Sequence, residues 1–226
     1  MTDIHCHLVP GVDDGSRSPE QTKQILELMQ QIGIKRVITT PHIFTRYPQN
    51  NGTSLKAAFE ELLPLLPSHL PELHLGAEYM VDSAFLDQLQ GHPLLTLGRS
   101  PYLLCEFSFA SAPFGYERLL SNVSVEGAVV LLAHPERFLY LGDREYDSLK
   151  AQGCRFQLNL FSLTGMYGPQ VAKRAAHLFA LGMYDFVGTD THRPEALTEV
   201  IASAVLPKKY EAPLRALIER NDLLFQ

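Results

Sequence analysis

Short β-rich runs alternate with amphipathic stretches along this whole sequence, and nearly every run closes on a histidine or an acid. The runs are 2–8, 35–40, 72–78, 101–107, 128–134, 155–160 and 185–189, and the helical patterns are 18–32, 54–66, 82–90, 114–124, 143–152, 168–181 and 210–220. The first helix has a regular start, with Ser18 to cap it, Pro19 at the first position and Glu20 in the first turn. A repeated β/α unit predicts an α/β fold with a parallel sheet covered by helices, either closed as a barrel or open and doubly wound. The polar residues choose between the two. In a parallel barrel, chemistry gathers at the C-terminal ends of the strands, whereas an open sheet draws ligands from the strands at one switch point.

Here His5 and His7 end the first run, His42 follows the second, Glu78 ends the third and Glu106 the fourth. His134 ends the fifth run, and Asp190 and His192 follow the seventh. A seven-stranded barrel of the TIM type fits this distribution. In an extended chain His5 and His7 point to the same side and Cys6 to the other. Any one of these residues has an ordinary structural reading as a loop histidine or a salt-bridged strand end. Together they put carboxylates where they repel one another unless cations intervene, so the constellation reads as a multinuclear metal site. "VDDG" offers Asp13 or Asp14 as a further ligand. His69, His74, His92 and His177 fall at helix ends, loops or a strand start and are read as structural or solvated. Imidazole and carboxylate ligation without thiolate suits Mn²⁺, Fe²⁺ or Zn²⁺.

Composition narrows the function. The chain has 226 residues, 46% of them hydrophobic, enough for one domain spanning 1–226. A formal charge of -6 without a Lys/Arg stripe argues against a nucleic-acid partner. There is no run near the roughly 20 apolar residues of a membrane span and no signal-like N-terminus, which predicts a cytoplasmic protein with no membrane insertion. The cysteines, Cys6, Cys105 and Cys154, show no disulfide or zinc spacing. A cysteine phosphatase needs an arginine six positions after its thiolate, and those positions hold Val12, Ser111 and Leu160.

"DIHCHLVPGVDDG", "TTPH", "GAE", "EF", "AHPER" and "TDTH", in this order over residues 3–192, resemble the polymerase-and-histidinol-phosphatase (PHP) superfamily. Within it, they resemble the bacterial manganese-dependent protein-tyrosine phosphatases of capsule and exopolysaccharide systems. The resemblance implies a PHP fold, three divalent metal ions, most often Mn²⁺, and hydrolysis of phosphotyrosine on the tail of a bacterial tyrosine kinase. It assigns His5, His7, Glu78 and Asp190 to the first metal. Glu78, Glu106 and His134 would hold the second, and Asp14, His42 and His192 the third, with Asp14 preferred to Asp13. It puts Arg137, Glu78 and Asp190 at the catalytic centre, with Arg137 binding phosphate. The family's second arginine has no match at the expected spacing, which leaves Arg46 and Arg193 as candidates. Asn159 and Ser162 could line the pocket, and Phe44, Tyr47, Phe107, Phe109, Phe114, Tyr116 and Tyr140 could flank a phenyl ring. The rival readings are a PHP phosphoesterase acting on a small phosphomonoester such as histidinol phosphate, an amidohydrolase, and a metal-stabilised module that holds phosphorylated tails without cleaving them.

Overall fold

A computed structural model describes residues 1–203 and 208–226. The chain runs β1 (Thr2–Asp3), α1 (Pro19–Gln31), β2 (Arg36–Thr39), β3 (His42–Ile43), α2 (Gly52–Leu62), β4 (Glu72–Leu75), β5 (Glu78–Met80) and α3 (Phe85–Gly91). It continues through β6 (Tyr102–Glu106), α4 (Tyr116–Val125), β7 (Val129–Ala133), α5 (Asp143–Ala151), β8 (Arg155–Asn159), α6 (Pro169–Ala180), β9 (Phe186–Gly188), α7 (Pro194–Ser203) and α8 (Glu211–Asn221). All the strand pairings are parallel, in a sheet of order β1-β2-β4 and another of order β3-β5-β6-β7-β8-β9.

The described residues thus hold nine strand segments rather than seven, because two of the expected strands are each broken. Run 35–40 splits into β2 and β3 at Thr40 and Pro41, where proline has no N–H to give to a ladder. Thr40 instead turns its N–H to the carbonyl of Cys6, 2.7 Å away. The third run splits at Gly76 and Ala77, and its C-terminal half begins with Glu78, which lies in register with His42. Run 2–8 shortens to β1, after which the chain leans toward the end of β9. His5 carbonyl accepts from Asp190 N at 2.7 Å, His7 N donates to Thr191 carbonyl at 2.9 Å, and Cys6 bridges Thr191 in parallel.

Residues alternate between two apolar environments. In β6 and β7, Leu103, Cys105, Val130 and Leu132 pack with helix residues such as Leu120, Tyr146 and Leu178. Leu104, Leu131 and Ala133 instead join Ile4, Ile38, Leu97, Phe186 and Leu224, a cluster with no α-helix residue in it. Both faces of these parallel strands are buried, as their apolar runs require. The expected helices form within a few residues of their predicted bounds, and Ser18 Oγ accepts from Gln21 N at the start of α1. Helix α7 was not anticipated, although Pro194 at its first position and Glu195 in its first turn make a usable start signal. Among the described residues no helix is long and apolar enough to cross a membrane.

Candidate metal centre

The first turn of the site is built by a close approach. At Gly15 a Cβ would lie 2.3 Å from the His7 carbonyl oxygen, so only glycine lets the loop after β1 fold back over the histidine. Gly188, at the end of β9, makes similar room for His5, whose Cβ would stand 2.7 Å from an added methyl. His5 and His7 are thereby fully buried with their rings 5.5 Å apart. At the ends of β7 and β9, His134 (φ 33°) and Asp190 (φ 54°) are the two non-glycine residues with positive φ among those described. Such backbone is costly for these side chains and collects at functional sites.

Around this floor the other candidates converge. Glu78 Oε2 lies 3.3 Å from His5 Nε2, 3.4 Å from His7 Nε2 and 3.2 Å from His42 Nδ1, while its Oε1 lies 3.1 Å from His134 Nε2. Asp190 Oδ1 lies 3.4 Å from His5 and 3.5 Å from His7. Glu106 lies 3.2 Å from His42 Nδ1. Asp14 Oδ1 stands 3.5 Å from both His42 Nε2 and His192 Nε2. Two atoms that ligate one ion at about 2.1 Å sit roughly 3.0–3.5 Å apart at the usual angles, so these spacings suit shared cations. Four overlapping sets bring their ligand atoms within 4.8 Å: His5/His7/Asp190, His5/Glu78/His134, His42/Glu78/Glu106 and His7/His42/His192. Eight of the nine residues expected as ligands fall in these sets and the ninth, Asp14, stands beside His42 and His192, while His69, His74, His92 and His177 stay outside them.

The polar accounting also fits a cation-binding floor. Glu78 Oε2, His42 Nδ1 and His134 Nδ1 are buried without a hydrogen-bond partner, a costly state for such atoms unless an ion is to be coordinated nearby. Without ions the acids borrow charge from the imidazoles. Burial would lower the His5 pKa, but Glu78 and Asp190 lift it to about 9. Burial likewise opposes ionisation of Glu78, yet His5, His134 and His7 hold it well below the carboxylate range. Asp190 is held low in the same way, against burial, by His5, His7 and His192.

Asp13 and Asp14 separate cleanly. Asp14 points among His42 and His192, while the buried Asp13 accepts from His7 Nδ1 at 2.8 Å, His42 N at 3.0 Å and Gly15 N at 2.9 Å. Asp13 thus holds the His7 ring and the His42 backbone. Sequence reasoning missed Gln157, whose Oε1 lies 2.9 Å from His5 Nδ1. Its signal was a polar side chain in the middle of the buried run "RFQLN".

A cleft of about 800 Å³ opens over the floor, lined by Asp14, His42, Glu78, Glu106, His134, Asp190 and His192, with Arg137 and Arg46 at its sides. Arg193 is not brought there: its guanidinium binds Gly15 carbonyl and Gln21 Oε1, bracing the loop from behind. Of the aromatic candidates, Phe44, Phe109 and Phe114 line the cleft, whereas Phe107 and Tyr116 are core. Tyr47 stacks on His42 and Tyr140 on Phe138. Asn159 Nδ2 donates to Asp190 Oδ2 at 3.1 Å, and Ser162 is buried and does not line the cleft.

The profile of the capsular polysaccharide synthesis family CpsB/CapC matches residues 1–221. The chain belongs to this family. It is similar to tyrosine-protein phosphatase YwqE of Bacillus subtilis, with 28% identity over 98% of this chain and 89% of that protein. It also superposes, at a TM-score of 0.77 and 25% identity, on a crystal structure from work on YwqE and CpsB of Streptococcus pneumoniae, "unique metal-dependent tyrosine phosphatases". That match covers 97% of this chain and 95% of the other. An inactive dihydroorotase-like domain from Chaetomium thermophilum shares the fold alone, at a TM-score of 0.56 and 12% identity over 99% of this CpsB/CapC chain and 78% of that one.

Proposed function

We propose that this chain is a metal-dependent protein-tyrosine phosphatase, hydrolysing phosphotyrosine with an activated water. One observation carries the reading: side chains from strand ends between His5 and His192 meet on one floor in four overlapping sets, the ligand atoms of each set within 4.8 Å, beneath an open cleft edged by an arginine. Similarity to tyrosine-protein phosphatase YwqE and to a metal-dependent tyrosine phosphatase of known structure supports the leaving group. The fold is a single domain over 1–226, a distorted seven-stranded β/α barrel of PHP type. The Cys6–Thr191 bridge and the strand-lined cluster around Leu104 and Leu131 support that closure.

Three divalent ions, most often Mn²⁺ with Fe²⁺ or Zn²⁺ as alternatives, fit these donors: His5, His7, Glu78 and Asp190 for one, Glu78, Glu106 and His134 for another, and Asp14, His42 and His192 for the third. Such ions, when bound, neutralise phosphoryl oxygens and lower the pKa of water toward neutrality. Glu78 faces two sets with its two oxygens, as a bridging ligand must. Asp190 and Glu78 hold their charge in the buried floor, and Arg137 offers a fork to the phosphoryl oxygens. The substrate is the phosphotyrosine-bearing tail of a tyrosine kinase that governs polysaccharide export, met in the cytoplasm. Arg46, at the cleft side, is the remaining candidate for a second phosphate contact.

Elemental analysis of gently purified protein, followed by kinetics on phosphotyrosine peptide and histidinol phosphate after metal exchange, tests this. The expected result is bound divalent metal and a higher kcat/KM on the peptide. A preference for histidinol phosphate, or no phosphate release with any of the three metals, overturns it.

A further inference from the structure

Arg137 is held between two aromatic plates. Its Cζ lies 4.2 Å from the Phe109 ring centroid and 4.3 Å from that of Tyr167. Phe109 is half exposed in the cleft wall, on the loop after β6, and Tyr167 comes from the segment before α6. The Tyr167 hydroxyl accepts from Asn159 Nδ2 at 3.2 Å, and the same amide donates to Asp190 Oδ2. Arg137 Nη1 donates to that carboxylate oxygen at 2.8 Å. Tyr167, Asn159, Asp190 and Arg137 thus form one connected unit. Among the described residues Asp190 is the single hydrogen-bond acceptor given to this guanidinium, which lines the cleft and is one-fifth exposed.

We infer that Tyr167 is a positioning residue for phosphate binding: it holds the Arg137 guanidinium in the plane from which its free N–H groups reach a phosphoryl group in the cleft. A planar fork recognises phosphate only in the right orientation, and a long, unrestrained arginine loses rotamer entropy when it binds. Stacking on an aromatic face removes that freedom beforehand. This rests on the phosphatase reading for its substrate, but phosphate binding itself can be measured apart from turnover.

The test is a double-mutant cycle with Tyr167→Leu, Tyr167→Phe and Arg137→Ala in metal-loaded protein. It is read by calorimetric affinity for inorganic phosphate and by KM and kcat on phosphotyrosine peptide, with metal content and melting temperature as folding controls. Tyr167→Leu should weaken phosphate affinity and raise KM by about three- to tenfold with little change in kcat. Tyr167→Phe should restore most of the loss, because it keeps the plate. In the Arg137→Ala background, Tyr167→Leu should change neither quantity. An equal effect in both backgrounds would make Tyr167 merely structural, and unchanged phosphate affinity in the single variant would overturn the inference outright. If the wild-type protein bound phosphate through this cycle but released none from the peptide, the proposed function would fail while the positioning role stood.

Discussion

Glu78 is the residue on which the most contacts depend. Its two oxygens reach four histidines from three parts of the chain, at 3.1–3.4 Å. Glu78→Gln keeps the shape but replaces one acceptor oxygen with a donor and removes the charge. It should lose at least one metal ion per chain by elemental analysis and reduce hydrolysis by roughly a hundredfold or more. Wild-type metal content with substantial turnover would count against a bridging role. Asp13 works at one remove: it lies 2.8 Å from His7 Nδ1, and its pKa is held down to about 2, against burial, chiefly by His7 and His42. Asp13→Asn should weaken metal binding by about ten- to a hundredfold while leaving the ligand set intact, as competition with a chelator would show. The residues of the floor were legible in the sequence because histidine and acid are conspicuous at the ends of apolar strands. The roles of Asp13 and Asp14 were not, because adjacent residues in a tight loop point in different directions that only the fold decides.

At the scale of elements, glycine and proline positions shape the rim. Gly15→Ala would drive a methyl into the His7 carbonyl at 2.3 Å and toward Asp13 Oδ1 at 2.9 Å, so the loop must move and take Asp13 with it. We expect a loss of about 1–3 kcal/mol in stability, seen in denaturant unfolding, together with weaker metal binding. If metal affinity were wild-type, the loop would not be what orients His7. The same elements show why the sequence reading was incomplete. Periodicity located each strand run, but it could not see that Pro41 interrupts a ladder, nor that Thr39 Oγ1 accepts from Leu8 N at 2.8 Å where a strand would use a carbonyl. Arg193, adjacent to a ligand, looked like a phosphate clamp; its reach to Gly15 depends on a fold-back that no local pattern encodes.

For the whole molecule, the floor couples folding to metal and to protons. Five histidines and four carboxylates are gathered there, and in the metal-free chain the imidazoles supply the positive charge. His5, lifted from 6.5 to about 9, adds stability that is fully present below its unfolded value and is lost as pH rises through about 9. A metal ligand must be the neutral imidazole, so loading at neutral pH expels that proton, and metal affinity falls as pH is lowered. The metal-loaded protein has no such dependence on His5 protonation. The gap in melting temperature between loaded and chelator-treated protein should therefore widen between pH 7 and pH 9, on top of a stabilisation of about 2.7 kcal/mol at a hundredfold excess of metal over its Kd. Calorimetry in buffers of different ionisation enthalpy should count at least one proton released per chain near pH 7. No proton release, or a gap that narrows toward pH 9, would show that the acids of this floor are neutralised by something other than its histidines.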